Sequence, residues 1–459
     1  MNNSLNWKLV WIATIAIAVQ SLFAVGLVST HQPLLALEGD APNYLDTAQN
    51  FLNKGVWSAS PQENPKPDNF RTPVYPLFLI PFLYFKIPFG YISLIQSLLM
   101  ALIAALTFYF GRTIVSERAA FFAGLIIAVE PYLASTYISK VMMTEVFATL
   151  FLFGAFWNFI RYIQTQHWCC LEWASGLLAL AALTKPQFFF FFIMIPFVMW
   201  CAGELRAWKK MFSALAVFGI VLSPWLYYNF AVLKVPQFSS ITLPAVFDSA
   251  YRVRDWQSGG ADPKYHGHYV ELGKKIIGVE TAAELYEPHN AKRLAEIGFE
   301  EVKAHPIAFA WYQFIHIPRL FYHEVNVEAV VKDFGLAHNP GPGEVDINII
   351  KAVARGQISE ALQMIKKYPL WILSLGLKML ALLIALLAFG YLGIKKLFNN
   401  AWDMPVLFII SFIALYAVLA SPVGQHRYRV PIEPWLYLFA FESVRLLWHR
   451  FKKKTPLTV

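Results

Sequence analysis

The sequence predicts an all-α polytopic membrane protein with about ten transmembrane helices, interfacial helices in its first outer loop, and a large outer loop before the last three spans. Three observations lead to this fold class. Of 459 residues, 57% are hydrophobic and only 15% are charged, and the mean hydropathy is +0.48. Ten apolar segments approach the length of a span. The basic residues cluster between these segments, on one side of the predicted membrane.

The apolar segments set the number of spans, because a hydrocarbon core about 30 Å thick needs about 20 residues of helix. Seven segments precede a long polar stretch, and three follow it. The first seven spans are predicted at residues 9–30, 90–111, 119–135, 143–163, 171–185, 187–203 and 210–231, and the last three at residues 370–394, 403–420 and 431–448.

The basic clusters agree with ten spans, since Lys and Arg are enriched in cytoplasmic loops. With this count, the clusters that follow every second span share one side, which is then cytoplasmic. One further apolar segment, residues 74–88, contains Pro76 and Pro81. This segment either spans the membrane or lies in the interface. Only the interfacial position keeps all the basic clusters on one side of the membrane.

This topology divides the chain into three regions. Residues 1–231 form an N-terminal transmembrane module of seven spans, with the first outer loop at residues 31–89. Residues 232–369 form an extracytoplasmic loop region. Residues 370–459 form a C-terminal module of three spans with a basic cytoplasmic tail.

Charge and cysteine usage exclude several classes of function. The net charge of +9 comes from short basic clusters that are typical of topology signals, so nucleic acid is not an expected partner. Cys169, Cys170 and Cys201 show no metal-ligand spacing with histidine, and His266 and His268 are expected at the surface. No metal and no cofactor are therefore predicted.

The first outer loop begins with a predicted amphipathic helix. Tyr44, Ala48, Phe51 and Leu52 fall on one face at helical spacing, which is typical of a helix that lies in the membrane surface. The helix would begin at Asp40, so that the carboxylate of Asp40 could cap it.

Asp40 has a second interpretation, because a carboxylate just outside the hydrocarbon could act as a general base toward a water-borne acceptor. Glu38 lies two residues away, and spacing alone does not favour one acid over the other. Arg71, later in the same loop, could be a snorkelling side chain or a partner for a phosphate.

Two further charges lie at the ends of apolar segments. Glu145 begins a predicted span, where an acid also suits the helix dipole. Lys185 lies between two predicted spans in an almost entirely apolar environment. A short outer turn would explain it, but a lysine near the membrane also needs an anionic partner and is a candidate for function.

The predicted outer turn between the last two spans contains His426, Arg427, Arg429 and Glu433. Arginines on the outer side oppose the positive-inside trend, so topology explains them poorly. Arginine clusters bind phosphates well, which favours an anion-binding role for this turn.

Taken in order, these motifs resemble those of the bacterial GT-C-type glycosyltransferases, the superfamily of the protein O-mannosyltransferases and the lipid A aminoarabinose transferase. The resemblance extends over nearly the whole chain. It rests on Asp40-x-x-x-Tyr44, "RTPVYP" from Arg71, "TEVF" with Glu145, "TKP" with Lys185, "SPWLYYNFAVLKVPQFSS", and "RYRVPIEP" from Arg427.

The resemblance implies transfer of a sugar from a polyprenyl-phosphate donor to a lipid, glycan or protein acceptor, at the outer face of a bacterial inner membrane. Asp40 and Glu145 would then be the catalytic acids. Arg71, Lys185, Arg427, Tyr44, His426 and Arg429 would bind the donor. The family's usual Asp-Glu pair is Asp40-Ala41 here, so the role of the second acid has no equivalent at that position.

Two other functions stay open. An O-antigen ligase or polymerase also has many spans and a large outer loop, but it would place its essential residues in that loop. A transporter or lipid flippase would have charges at the midplane. The charges of this chain instead gather near one surface, and no inverted repeat is apparent.

Overall fold

The fold is taken from a computed structural model of the chain, which describes most but not all residues. The described residues are 7–19, 40–129, 144–257, 266–322, 352–353, 356–367, 370–399, 403–420 and 428–454.

Every regular element within these residues is a helix, as the sequence predicts. The α-helices are α1 (Trp7–Val19), α2 (Ala41–Lys54), α3 (Val74–Tyr84), α4 (Gly90–Gly111), α5 (Glu117–Val129), α6 (Glu145–Thr165), α7 (Trp168–Thr184), α8 (Met194–Cys201), α9 (Trp208–Ala231), α10 (Thr242–Gln257), α11 (His266–Ile277), α12 (Ala282–Leu285), α13 (Pro288–Ala304), α14 (Pro306–Tyr322), α15 (Ile358–Lys367), α16 (Leu370–Asn399), α17 (Met404–Ala420) and α18 (Glu433–Lys454).

Within the described part of the chain, three helices combine the length and the apolar composition needed to cross a membrane. They are α4, α6 and α9, with 22, 21 and 24 residues. At 1.5 Å per residue, each is about 30 Å long or slightly more, which matches the hydrocarbon core. Helices also occupy the other predicted segments in whole or in part, but the count of ten spans stays a prediction.

Helix α3 corresponds to the ambiguous apolar segment. Its 11 residues extend over only about 16 Å, roughly half of the hydrocarbon thickness. Its buried side chains, among them Tyr75 and Leu79, pack with Tyr44 and Ala48 of α2 in one cluster. Helix α3 is therefore shorter than a span requires, and the interfacial position of residues 74–88 stays a prediction.

Helix α2 forms where an amphipathic helix is predicted. The side chains of Tyr44, Leu45 and Ala48 are buried, whereas Phe51 is 41% exposed. Phe51 lies near the end of the helix and makes an edge contact with Trp57, at a centroid distance of 5.4 Å.

One aromatic core joins the first and last parts of the chain. Phe153 of α6 stacks on Trp435 of α18 with centroids 4.7 Å apart, and Phe156 packs on Phe412 of α17 at 4.1 Å. Trp435 is fully buried. The predicted N-terminal and C-terminal modules therefore share a single interior.

The predicted span at residues 187–203 is not one continuous α-helix. A 3-10 helix, Pro186–Ile193, precedes the short helix α8. Lys185 separates α7 from the 3-10 helix and has an extended backbone, with φ −135° and ψ 116°. Because Lys185 lies between two helices, its extended backbone interrupts the hydrogen bonds of neither helix.

Helices α10 to α13 form a small helical unit with its own core. Phe247, Tyr251, Tyr269 and Leu285 contribute to that core. Helix α13 crosses α10 so closely that a Cβ at Gly298 would lie 2.7 Å from the backbone of Phe247. A glycine is therefore needed where these two helices cross.

Candidate active site

Asp40 lies at the N-cap position of α2, but its side chain makes no capping hydrogen bond. Its Oδ1 instead lies 2.9 Å from Nη2 of Arg71. The side chain of Asp40 is 31% exposed and that of Arg71 only 6%. In this pair, therefore, the carboxylate is accessible and the guanidinium is buried beneath it.

The loop around Arg71 is held by hydrogen bonds to its backbone and by rings around its side chain. The indole Nε1 of Trp57 donates to the carbonyl of Arg71 at 2.9 Å. The guanidinium lies 4.5 Å from the ring centroid of Tyr44 and 4.7 Å from that of Phe70. Aromatic faces stabilise a cation by their quadrupole, so these rings support a buried arginine.

The carboxylate of Asp68 accepts hydrogen bonds from other residues of the same loop. Its Oδ2 accepts hydrogen bonds from the hydroxyl of Ser58 and the backbone N–H of Ala59, both at 2.8 Å, and its Oδ1 accepts one from the N–H of Phe70 at 3.0 Å. Burial raises the pKa of Asp68, and these hydrogen bonds oppose the shift. The bonds make Asp68 a structural acid, distinct from the accessible Asp40.

Glu145 and Lys185 form a second ion pair, in which the exposures are reversed. Nζ of Lys185 donates to Oε1 of Glu145 at 2.8 Å, and the ring centroid of Tyr428 lies 4.7 Å from the same ammonium. The side chain of Glu145 is 1% exposed and that of Lys185 is 10% exposed. Oε2 of Glu145 is buried and has no hydrogen-bond partner among the described residues.

Tyr44 connects the two pairs. Its hydroxyl accepts a hydrogen bond from Nη1 of Arg71 at 3.3 Å, and it is almost fully buried. Burial raises the pKa of Tyr44; the charge of Arg71 opposes this shift, and the charges of Asp40 and Glu145 add to it. The ring of Tyr44 packs on Tyr75 with centroids 5.1 Å apart, and Tyr75 packs on Phe147 at 5.6 Å, which places Tyr44 near the start of α6, where Glu145 lies.

A backbone contact links the two pairs a second time. The hydroxyl of Thr72, next to Arg71, donates to the carbonyl of Thr184, next to Lys185, at 3.1 Å. The structure thus brings together five of the eight predicted site residues, and it places Tyr428, the neighbour of a sixth, Arg429, beside Lys185. The five residues are Asp40, Tyr44, Arg71, Glu145 and Lys185.

Arg429 itself bonds to other parts of the protein. Its Nε donates to the carboxylate of Glu433, and its Nη1 donates to the carbonyl of Phe321 at 2.7 Å. Arg429 is buried, 5% exposed. These contacts fix the segment that carries Tyr428, while His426, Arg427 and Glu38 lie outside the described residues.

Sequence reasoning did not identify Tyr428 as a member of the site, although it stands between Arg427 and Arg429. The alternation of arginine and tyrosine was the available signal, since a ring beside a cluster of cations can hold one of them. Within the described residues, no group of three or more His, Cys, Asp or Glu side chains could hold a metal ion.

Residues 73–228 match the family described as dolichyl-phosphate-mannose-protein mannosyltransferase, which is of the GT-C type. This confirms the predicted resemblance over about a third of the chain, including Glu145 and Lys185. The matching segment begins just after Arg71. No curated protein matches the chain. The family match and the apolar helices support a membrane-bound glycosyltransferase of the GT-C type.

Proposed function

We propose that this protein transfers a sugar from a polyprenyl-phosphate donor to an acceptor at the outer face of the bacterial cytoplasmic membrane. One observation carries the proposal: two ion pairs of opposite exposure are joined through the segment around Arg71, which bonds to Tyr44 and, through Thr72, to the residue before Lys185. One pair presents an acid and the other a cation. Transfer of a phosphate-linked sugar needs both, a base for the acceptor and a positive charge for the departing phosphate.

Asp40 is the general base in this mechanism. As an acceptor oxygen or nitrogen attacks the anomeric carbon, Asp40 takes the proton that the acceptor loses. The bond between the anomeric carbon and the phosphate oxygen breaks, and its electrons stay on the phosphate. Asp40 is suited to this role because its carboxylate is the more exposed member of its pair.

Arg71 is a positioning residue for Asp40 in the proposal. Its guanidinium donates to Asp40 and to Tyr44 and is almost fully buried, which favours a supporting role over direct capture of the donor phosphate. A guanidinium has five donors in a rigid plane, so it holds a carboxylate in one orientation. Arg71 thereby stabilises the negative charge that the base needs.

Lys185 stabilises the negative charge that develops on the phosphate. An ammonium group has three donors, and Glu145 occupies one of them. Glu145 keeps the lysine in place, while the ring of Tyr428 limits the directions in which the ammonium can move. Arg427 and His426, on the residues that precede Tyr428, would complete the phosphate site.

The test is a transfer assay with the purified full-length protein in lipid vesicles. A panel of labelled polyprenyl-phosphate hexoses and pentoses is supplied as donor, and detergent extract of bacterial cell envelopes is supplied as the source of acceptors. Label should move from the donor to an acceptor. If label only changed sides of the vesicle membrane and formed no product, the protein would be a transporter.

The variant Asp40→Asn tests the base. Because the amide cannot take the proton, transfer should fall about 10²- to 10³-fold, the size of effect that removal of one preorganised group produces. Asp46→Asn is the matched control, since Asp46 lies on the same helix and belongs to neither pair. Wild-type turnover in Asp40→Asn would contradict the assignment.

A further inference from the structure

Tyr286 brings the small helical unit, α10 to α13, to the edge of the candidate site. It directly follows α12, whose Leu285 is anchored in the core of the unit with 1% exposure. The ring of Tyr286 packs on Phe70, with centroids 5.0 Å apart. Phe70 in turn faces the guanidinium of Arg71 at 4.7 Å. Only one ring therefore separates Tyr286 from the arginine of the first ion pair.

The electrostatics of Tyr286 agree with this position. Burial raises its pKa to about 12; the charge of Asp248 adds to the shift, Arg71 opposes it, and Asp40 adds to it. The hydroxyl stays protonated at physiological pH and can donate a hydrogen bond.

The hydroxyl of Tyr286 is available for that bond. Among the described residues, the hydroxyl of Tyr286 makes no hydrogen bond. The side chain packs on Phe70 through its ring and is only partly buried. A half-buried phenol next to a buried arginine would normally make a hydrogen bond to protein, water or ligand.

Neighbouring residues, and not the hydroxyl, hold this part of the unit in place. Glu287 forms an ion pair with Lys66 at 2.9 Å, and the carbonyl of Pro288 accepts a hydrogen bond from Nε2 of Gln237 at 3.2 Å. Both contacts join the small helical unit to other parts of the chain directly beside Tyr286. Removing the hydroxyl should therefore leave the unit docked.

We propose that Tyr286 contacts the acceptor, donating a hydrogen bond from its hydroxyl to an acceptor oxygen beside the group that attacks the sugar. The proposal rests on the proposed function, with Asp40 as the base. The lipid tail of the donor must stay in hydrocarbon, and its phosphate is assigned to Lys185. Tyr286 instead comes from the polar, predicted extramembrane unit, and through Phe70 it lies beside Arg71, the partner of Asp40.

The test compares Tyr286→Phe with the wild-type protein in the transfer assay. The variant keeps the ring contact with Phe70 and loses only the hydroxyl. The concentration of envelope extract that gives half-maximal transfer should rise about two- to tenfold, the effect of one lost neutral hydrogen bond. The half-saturating concentration of donor and the rate at saturating extract should stay unchanged.

Tyr251→Phe is the matched control, because Tyr251 lies in the same unit, is 8% exposed, and packs against Phe247 and Arg254 away from the site. If Tyr286 had only a structural role, Tyr286→Phe would lower the unfolding temperature. It would not change the half-saturating concentration of extract while leaving that of the donor unchanged. If an active Tyr286→Phe variant had the same half-saturating concentration of extract as the wild-type protein, the assignment of Tyr286 would be wrong and the proposed function would be unaffected. Absence of transfer by the wild-type protein would overturn the proposed function, and this assignment with it.

Discussion

The two ion pairs of the site use the same chemistry in opposite ways. In the first pair the acid, Asp40, is 31% exposed and its arginine is buried. In the second pair the acid, Glu145, is 1% exposed and the lysine is the more accessible partner. The family match differs between them as well, since it includes the second pair and begins just after the first.

This difference in exposure indicates which member of each pair can contact a substrate and which member supports it. An accessible carboxylate can exchange a proton with an incoming molecule, and its buried arginine keeps it oriented. A buried carboxylate is not accessible to such a molecule, so in the proposed mechanism Glu145 holds a positive charge in an apolar environment. The first pair is suited to proton transfer, and the second to binding an anion.

The largest effect is expected for Lys185→Ala, which leaves Glu145 buried without its cation. Breaking a buried pair on one side costs about 3–5 kcal/mol, so the free energy of unfolding in detergent–SDS mixtures should fall by that amount. Transfer should also fall about 10²- to 10³-fold. Lys210→Ala is the control, because its partner Glu204 is 20% exposed and can be rehydrated.

The double variant Lys185→Met/Glu145→Leu separates these two effects. Replacing both members of a buried pair by apolar residues is often neutral for stability, so unfolding should return close to that of the wild-type protein. Transfer should stay as low as in Lys185→Ala. Recovery of transfer together with stability would show that Lys185 has no part in the chemistry.

Asp40→Asn should give the opposite profile, with a loss of transfer and little loss of stability. An ion pair with a partly exposed member contributes about 1 kcal/mol or less, and the amide can still accept a hydrogen bond from Arg71. SDS-induced unfolding of this variant should therefore stay within about 1 kcal/mol of the wild-type value. A loss as large as that of Lys185→Ala would remove the contrast between the two pairs.

The smallest effect is expected for Tyr44→Phe, which removes the hydroxyl that connects the pairs. The ring would keep its edge contact with Tyr75, at a centroid distance of 5.1 Å. Loss of the hydrogen bond from the charged guanidinium of Arg71 should lower transfer about ten- to a hundredfold. Tyr227→Phe, at a 72% exposed position of α9, controls for the loss of a phenol. An unchanged rate would mean that the two pairs act independently.

Helix positions could be predicted wherever hydropathy alone determines them. The predicted span at residues 90–111 coincides with α4, because an uninterrupted apolar segment of that length has few alternatives to a helix. The 3-10 helix after Lys185 could not be predicted, since Phe188 to Phe192 are equally apolar in either conformation. Hydropathy indicates which residues are buried, but it does not indicate whether their backbone hydrogen bonds follow the α-helical or the 3-10 pattern.

The site residues could be named from the sequence, but not their partners. Asp40 and Arg71 are 31 residues apart, and Glu145 and Lys185 are 40 residues apart, so only tertiary packing decides these pairings. Lys185 was expected to need an anionic partner, and the structure identifies that partner as the acid of another helix. Tyr286 carried no signal, because a single tyrosine in a polar stretch is ordinary.

The hydrogen bonds of the segment around Arg71 have a consequence for the order of assembly during synthesis. The carbonyl of Phe70 accepts a bond from Ser239, 169 residues later, and Thr72 bonds to Thr184, 112 residues later. At about 5–20 residues per second, the ribosome needs roughly 10–30 s to supply the later partner. The first loop therefore leaves the translation machinery long before its structure can be completed, and the proposed base reaches its working position only after α9 has been made.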